Sequence, residues 1–326
     1  MKKIILMAVA AIMAMSVSAQ GTMKKVRVYE GNTVVFEQNY DAVDSIVFVD
    51  VEVPSVPTGE LSGKFSVSAT TQVQFSQGNL QYQASTNTWR FAENQWDMVG
   101  MGYGQTDENT CYIGGTVEGS DNRQISATYS GWIDLFGWGT GSNPTNTSTD
   151  DSDYSTFTDW GVNTISNGGN TANTFRTLTK DEWVYLFYTR TNAATLFGLG
   201  SVNGVNGTIL LPDNWTLPEG ASFTTSTTQG LADQGSYYDN SNGNNFSHNT
   251  YTAEQWAVME SAGAVFLPAA GIRYGTRVDG VGPGGYYWSA TPNDTYDACF
   301  LSFSSAFLDP QDGSGRCIGL SVRLVR

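Results

Sequence analysis

The chain is short of the residues that carry most enzyme chemistry: one histidine, three cysteines, and only 14% charged residues in 326. With His248 as its single imidazole, it lacks the parts for a Ser-His-Asp triad or a multi-histidine metal centre. His248 lies in an Asn/Ser-rich stretch and reads as a solvated loop residue. No Gly-rich phosphate loop joins a strand to a helix, so nucleotide binding is not indicated. Basic residues are scarce too, 16 Lys plus Arg against 31 Asp plus Glu, for a formal net charge of −15. That excess repels nucleic acid and anionic membrane surfaces. Cys111, Cys299 and Cys317 allow at most one disulfide, with Cys299–Cys317 and fully unpaired thiols both open. Beyond residue 15 no apolar run approaches the length of a membrane helix, so membrane insertion is not expected.

What is present begins with an export pattern. Lys2 and Lys3 precede an apolar run from Ile4 to Met15, and Val17-Ser18-Ala19 offers a small-residue cleavage site before Gln20. The expectation is an exported, soluble protein, in the periplasm, at the cell surface or outside the cell. Losing that segment removes two lysines and moves the charge from −15 to about −17. No cysteine follows the site, which argues against a bacterial lipid anchor. With 40% hydrophobic and 13% aromatic residues, a sizeable core is expected.

The organisation expected is a signal segment 1–19, a small β module 20–53, a linker 54–62 around Pro54 and Pro57, and a main domain 63–326. In the module, Val26–Val28, Val34–Phe36 and Ile46–Val49 read as strands, with a turn at Glu30-Gly31-Asn32. The main domain opens with short strands at Phe65–Val67, Val73–Phe75, Leu80–Tyr82 and Trp89–Phe91. Long Gly/Asn/Ser/Thr loops from Met101 to Asn173 follow, pinned by Trp132 to Trp138. Thr179-Lys180-Asp181-Glu182 and Thr252-Ala253-Glu254-Gln255 are capping boxes opening two helices, the second with Gly263 at its end. Trp183 and Trp256 lie on apolar helix faces, and Trp288 reads as a core strand residue. A strand from Val265 to Leu267 follows, with Pro268 ending regular pairing. The fold class is α+β, with two main helices and much ordered loop.

The last forty or so residues carry two kinds of position. Leu301 and Phe303, then Leu320, Val322 and Leu324, recur at period two like inward-facing strand residues. Small or chemically unrelated residues sit between them. A regular frame carrying an irregular face suits recognition better than catalysis.

Several stretches together resemble the C-type-lectin fold, in the bacterial branch related to formylglycine-generating-enzyme-like domains. They are T-L-T-K-D-E-W from Thr177, L-L-P-D-N-W from Leu210, A-G-A-V-F-L-P-A-A-G from Ala262, Y-W-S-A-T-P from Tyr287 and G-L-S-V-R-L-V-R from Gly319. The likeness covers roughly Gly63 to the C-terminus. It is strongest to the variable proteins of diversity-generating retroelements and their undiversified paralogs, in which the C-terminal strands display residues from adenine-randomised asparagine codons. The resemblance implies a frame of Ala298, Leu301, Phe303, Pro310, Gln311, Arg316 and Gly319 to Arg326. It implies a ligand-binding set of Cys299, Phe300, Ser302, Ser304, Phe307, Asp309, Gly313, Ser314, Gly315, Cys317 and Ile318, none a residue that such randomisation forbids. Upstream, Tyr274, Asp279 and Tyr286 join the set as weaker members, together with Ile272, Gly280 and Gly284. Phe300 lies on the opposite side from Leu301 and Phe303 and is expected to be exposed. Cys299 and Ile318 have core parity and read either way.

The function implied is non-enzymatic binding of a protein or surface glycan. The alternative is a fixed carbohydrate-binding or structural cell-surface paralog. An oxidase would need Cys299 and Cys317, both at positions read as variable. No cofactor is called for. Ca²⁺ is the one left open, on Asp150, Asp151 and Asp153 or on Thr291-Pro292-Asn293-Asp294, although neither has an EF-hand or lectin sugar-site arrangement.

Overall fold

A computed structural model describes residues 25–30, 33–39, 58–99, 122–226, 237–238 and 245–326. The signal segment, the strand expected at Ile46–Val49, the prolines of the linker and Cys111 lie outside the described residues. The chain divides into two compact units, Met1–Ser55 and Val56–Arg326. In the first, strands β1 (Lys25–Glu30) and β2 (Thr33–Asn39) form an antiparallel hairpin, with Lys25 and Arg27 both bonded to Glu37.

Among the described residues the second unit is α+β, two short helices among small sheets. In chain order it contains β3 (Phe65–Ser66), β4 (Gln72–Val73), β5 (Leu80–Gln83), β6 (Thr88–Phe91), helix α1 (Lys180–Val184), β7 (Phe197–Val202) and β8 (Val205–Leu210). Then come β9 (Tyr237–Tyr238), β10 (Thr250–Tyr251), helix α2 (Ala253–Ser261), β11 (Val265–Pro268), β12 (Ile272–Tyr274), β13 (Arg277–Asp279), β14 (Gly284–Pro292), β15 (Asp297–Ser304) and β16 (Phe307–Gly315). Both capping boxes form: Thr179 accepts from the Glu182 N–H, Thr252 accepts from the Gln255 N–H, and each N3 side chain accepts the cap's own N–H in return. Beyond Val184 the chain continues as a π-helical turn over residues 185–189.

Two four-stranded sheets dominate. One has the order β10-β7-β8-β11, and its β7–β8 turn places Asn203 and Gly204 at φ +50° and +81°, as a two-residue hairpin turn of this hand requires. Pro268 pairs with Gly207 on the edge strand β11, and the Ala269 N–H carries the pairing on to the Asn206 carbonyl. Pro268 is the last residue in the β11–β8 register, as expected, and only that single bond follows it, on an edge strand that tolerates the missing N–H. The other sheet has the order β14-β15-β16-β9. Gly59 to Leu61, within the stretch read as a linker, are already part of the domain: the Gly59 carbonyl accepts from Gln77, and Leu61 donates to Phe75 at 2.8 Å.

The C-terminal segment from Gly319 to Arg326 is expected as one strand but switches partners every residue or two. It bonds successively to Arg273, Phe136, Tyr286 and Trp288, Leu80, Ser76, Arg176 and Gln74. Leu320, Val322 and Leu324 are buried in one apolar cluster with Trp89, Phe136, Trp160 and Phe300. Val325 belongs to a second, with Trp183, Phe187, Leu301 and Phe303. This segment is the seam of the unit, and strands β14–β16 lie beside it.

Candidate ligand-binding face

Strand β15 has both faces covered along most of its length. Leu301 and Phe303 enter the cluster under α1, and Ala298 and Phe300 enter the other cluster with Trp288. Phe300 is therefore only 5% exposed, with Tyr286 and Trp288 packed on it edge to face at 6.2 and 5.6 Å. The expectation that it projects into solvent is wrong, because period two separates the two faces of a strand without saying whether the second is covered. Ser302, Cys299 and Cys317 are buried as well.

The antiparallel registers sort the remaining positions. Tyr286 opposes Ser302, Trp288 opposes Phe300, and Ser302 opposes Asp309. Across β15–β16 one residue is extra: Ser302 pairs with Asp309, but Phe300 pairs with Asp312. Residues three apart on a regular strand point to opposite faces, so this bulge is what sets Asp309 and Asp312 on one face. The Ser302 hydroxyl confirms the placement by donating to Asp312 Oδ2 at 2.9 Å. Burial holds the Tyr286 hydroxyl above its ordinary range, and the nearby Asp312 charge adds to the shift. Half-buried Ser304 and Phe307 follow on the same face by alternation. Asp312 is absent from the expected set, and only the bulge, invisible in the alternation pattern, reveals it.

Other expected positions fall elsewhere. Cys299 opposes Gly313 on the α1 side, where its thiol lies 3.8 Å from Asn293 Oδ1. Gly315 opposes Asp297, and a Cβ there would come within 2.8 Å of Asp151 Oδ1. That same carboxylate oxygen accepts the Cys317 N–H at 2.8 Å, so no other side chain fits at Gly315 without displacing it. Ser314 is half-buried, opposite Ala298, and half-buried Ile318 packs on the cluster that holds Leu320. Tyr274 is 52% exposed on the β12–β13 hairpin, where Asp279 pairs with Arg277 at 2.7 Å. Two bonds between Arg273 and Gly319 tie that hairpin to the seam. The expected single surface is thus a sheet face, a neighbouring hairpin, and several positions committed to packing.

Both described cysteines are free. Burial pushes the Cys299 thiol up, and burial with Asp151 alongside pushes Cys317 up to about 12, so both are protonated at neutral pH. The acidic turn is occupied internally: Asp150 caps a turn through the Ser152 N–H, Asp151 holds Cys317, and Asp153 accepts from the Ser148 hydroxyl. Asp294 likewise accepts the N–H groups of Tyr296 and Asp297. His248 is half-buried rather than fully solvated.

Four arginines are buried: Arg316 and Arg323, both within the expected frame, and Arg190 and Arg273, which the sequence pattern did not single out. Arg190 pairs with Asp213 at 3.2 Å, whereas Arg273 donates to the carbonyls of Leu135, Gly275 and Asn146. Arg316 lies over the Trp138 ring at 4.5 Å and donates to the carbonyls of Asp294 and Asp297. Arg316 thereby braces the β14–β15 turn, and Arg273 the β12–β13 hairpin. A separate shallow groove is lined by Glu219, Ser222, Tyr251, Gln255 and Val258. Among the described residues, no helix is long and apolar enough to cross a membrane. Comparison with protein-family models, curated proteins and solved structures gives no match to this chain.

Proposed function

We propose that this chain is an exported, non-enzymatic binding protein of C-type-lectin-like fold, displaying its ligand face on β14–β16. The observation that carries the reading is the asymmetry of the β15 region. One side is packed core under α1; the other is covered at Ala298, Phe300 and Ser302 but beyond them presents Tyr286, Ser304, Phe307, Asp309 and Asp312, partly accessible, on a backbone held by ladders and by the C-terminal seam. A rigid platform limits the ordering entropy lost on binding. Aromatic anchors beside small hydroxyl residues suit adaptable recognition. Two protonated, separately buried thiols and a single imidazole support binding over catalysis. The ligand is a protein or surface glycan.

The same reading makes the face the diversified target of a retroelement, and burial narrows which codons vary. Free variation at Cys299, Phe300, Ser302 or Cys317 would disturb packed positions, and at Gly315 it would displace Asp151. The test is to sequence the DNA around the gene for a reverse transcriptase and a near-copy of the 3′ end. The expected near-copy differs at adenines, with differences concentrated at Ser304, Phe307, Asp309, Gly313, Ser314 and Ile318. A genome holding neither element makes the chain a fixed paralog.

A further inference from the structure

Away from the face, a fully buried carboxylate joins two stretches of chain. Asp134 Oδ2 accepts the Val99 N–H and its Oδ1 accepts the Asn122 side-chain NH₂, both at 2.8 Å. Neither partner can accept in return. A backbone N–H only donates, and the Asn122 amide cannot flip, because its own oxygen takes the N–H groups of Asp134 and Leu135 at 2.9 and 3.1 Å. Asn122 also donates to the Val99 carbonyl at 3.1 Å, which closes the cluster. Val99 is thereby tied to the turn whose next residues hold Arg273, through the Leu135 carbonyl, and Leu320, through Phe136. No neighbouring charge neutralises Asp134. Arg273 on β12 is engaged with carbonyls, Arg323 with Asn79 and Gln95, and half-buried Arg123, next to Asn122, does not pair with it. Asp97 accepts from Asn94, burial keeps the Tyr287 hydroxyl on β14 protonated, and residues 100–121 contain no Lys, Arg or His.

We propose that Asp134 is a proton-operated clasp: ionised it holds Val99 and Asn122 together, and protonated it releases one of them. A neutral carboxyl carries a hydroxyl hydrogen that needs an acceptor. With both oxygens facing donors, one contact turns donor against donor until a partner withdraws. Burial without a counter-cation pushes the carboxyl up to about 7, which places the exchange near neutral pH. Proton uptake still favours the folded chain as a whole, because it removes a buried charge. Acid therefore stabilises the molecule globally while loosening this one joint, and that opposition is the signature of the clasp.

The experiment follows the Val99 amide and the Asn122 side-chain NH₂ of the full chain by NMR, between about pH 5 and about pH 8.5. One of the two is expected to lose about tenfold of its protection from hydrogen exchange, corrected for the intrinsic rate, as pH falls through about 7. Over the same range the urea midpoint should climb. Asp134→Asn offers one acceptor and one donor, like the protonated acid, and should keep the low-pH pattern at every pH. If that variant does not fold, the Asp134 side-chain carbon signal of the native chain must titrate with the same midpoint as the lost protection. Both anchors unchanged across the range, protection lost at a midpoint unrelated to the Asp134 carbon, or an Asp134→Asn chain that still switches would overturn the clasp.

Discussion

At the scale of single residues, burial decides what a position is for. Phe300 has the parity of an outward residue but fills the space between Tyr286 and Trp288. Phe300→Ala should cost about 3–5 kcal/mol, the usual range for deleting a buried aromatic. Chemical denaturation measures it, and half-buried Phe307→Ala should cost clearly less. Asp134 gives a second residue-scale prediction. Its carboxylate is fully buried, accepting from the Val99 N–H and the Asn122 amide at 2.8 Å each, and burial outweighs those donors to push it up to about 7. Its folded value lies above the ordinary 3.8, so the folded state binds the proton more tightly than the unfolded chain. The resulting stabilisation is complete at low pH and is lost as pH rises through about 7. Urea midpoints of the native chain should therefore fall as pH rises from about 3.8 to about 7 and level off above that. Asp134→Asn should show a flatter profile, at a lower starting stability because its NH₂ faces one of the two donors.

At the scale of elements, what was legible in the sequence is what depends on local chemistry. The two capping boxes announce α1 and α2 because cap and N3 residues satisfy each other within four positions. Thr179→Ala and Thr252→Ala should each cost about 1 kcal/mol, read by thermal or chemical melting. Period two likewise identified Leu301 and Phe303 as core. Illegible were the features set by distant partners. The burial of Phe300 and Ser302 depends on a second apolar layer, the bulge on a register between two strands, and the buried arginines on carbonyls far along the chain, such as Leu135 and Asn146 for Arg273. Asp312 was missed for that reason. The partner-switching of Gly319 to Arg326 was also invisible, because Leu320, Val322 and Leu324 alternate like an ordinary strand.

At the scale of the whole molecule, that final segment closes the second unit by joining loops and strands remote from one another in sequence. A chain ending after Ile318 should lose its cooperative unfolding transition, since the two apolar clusters would lose Leu320, Val322, Leu324 and Val325 together. Under the proposed function, the same closure would let one sheet face vary in chemistry, because the backbone beneath it is fixed by groups outside that face. The most direct test of that account is calorimetric titration of a binder selected against the native chain into the Tyr286→Ala/Phe307→Ala variant. The account predicts a loss of about a hundredfold or more, the scale of two interface anchors, with the protein still folded. Unchanged affinity, or a loss seen only with Val258→Asp in the groove beside α2, would contradict it.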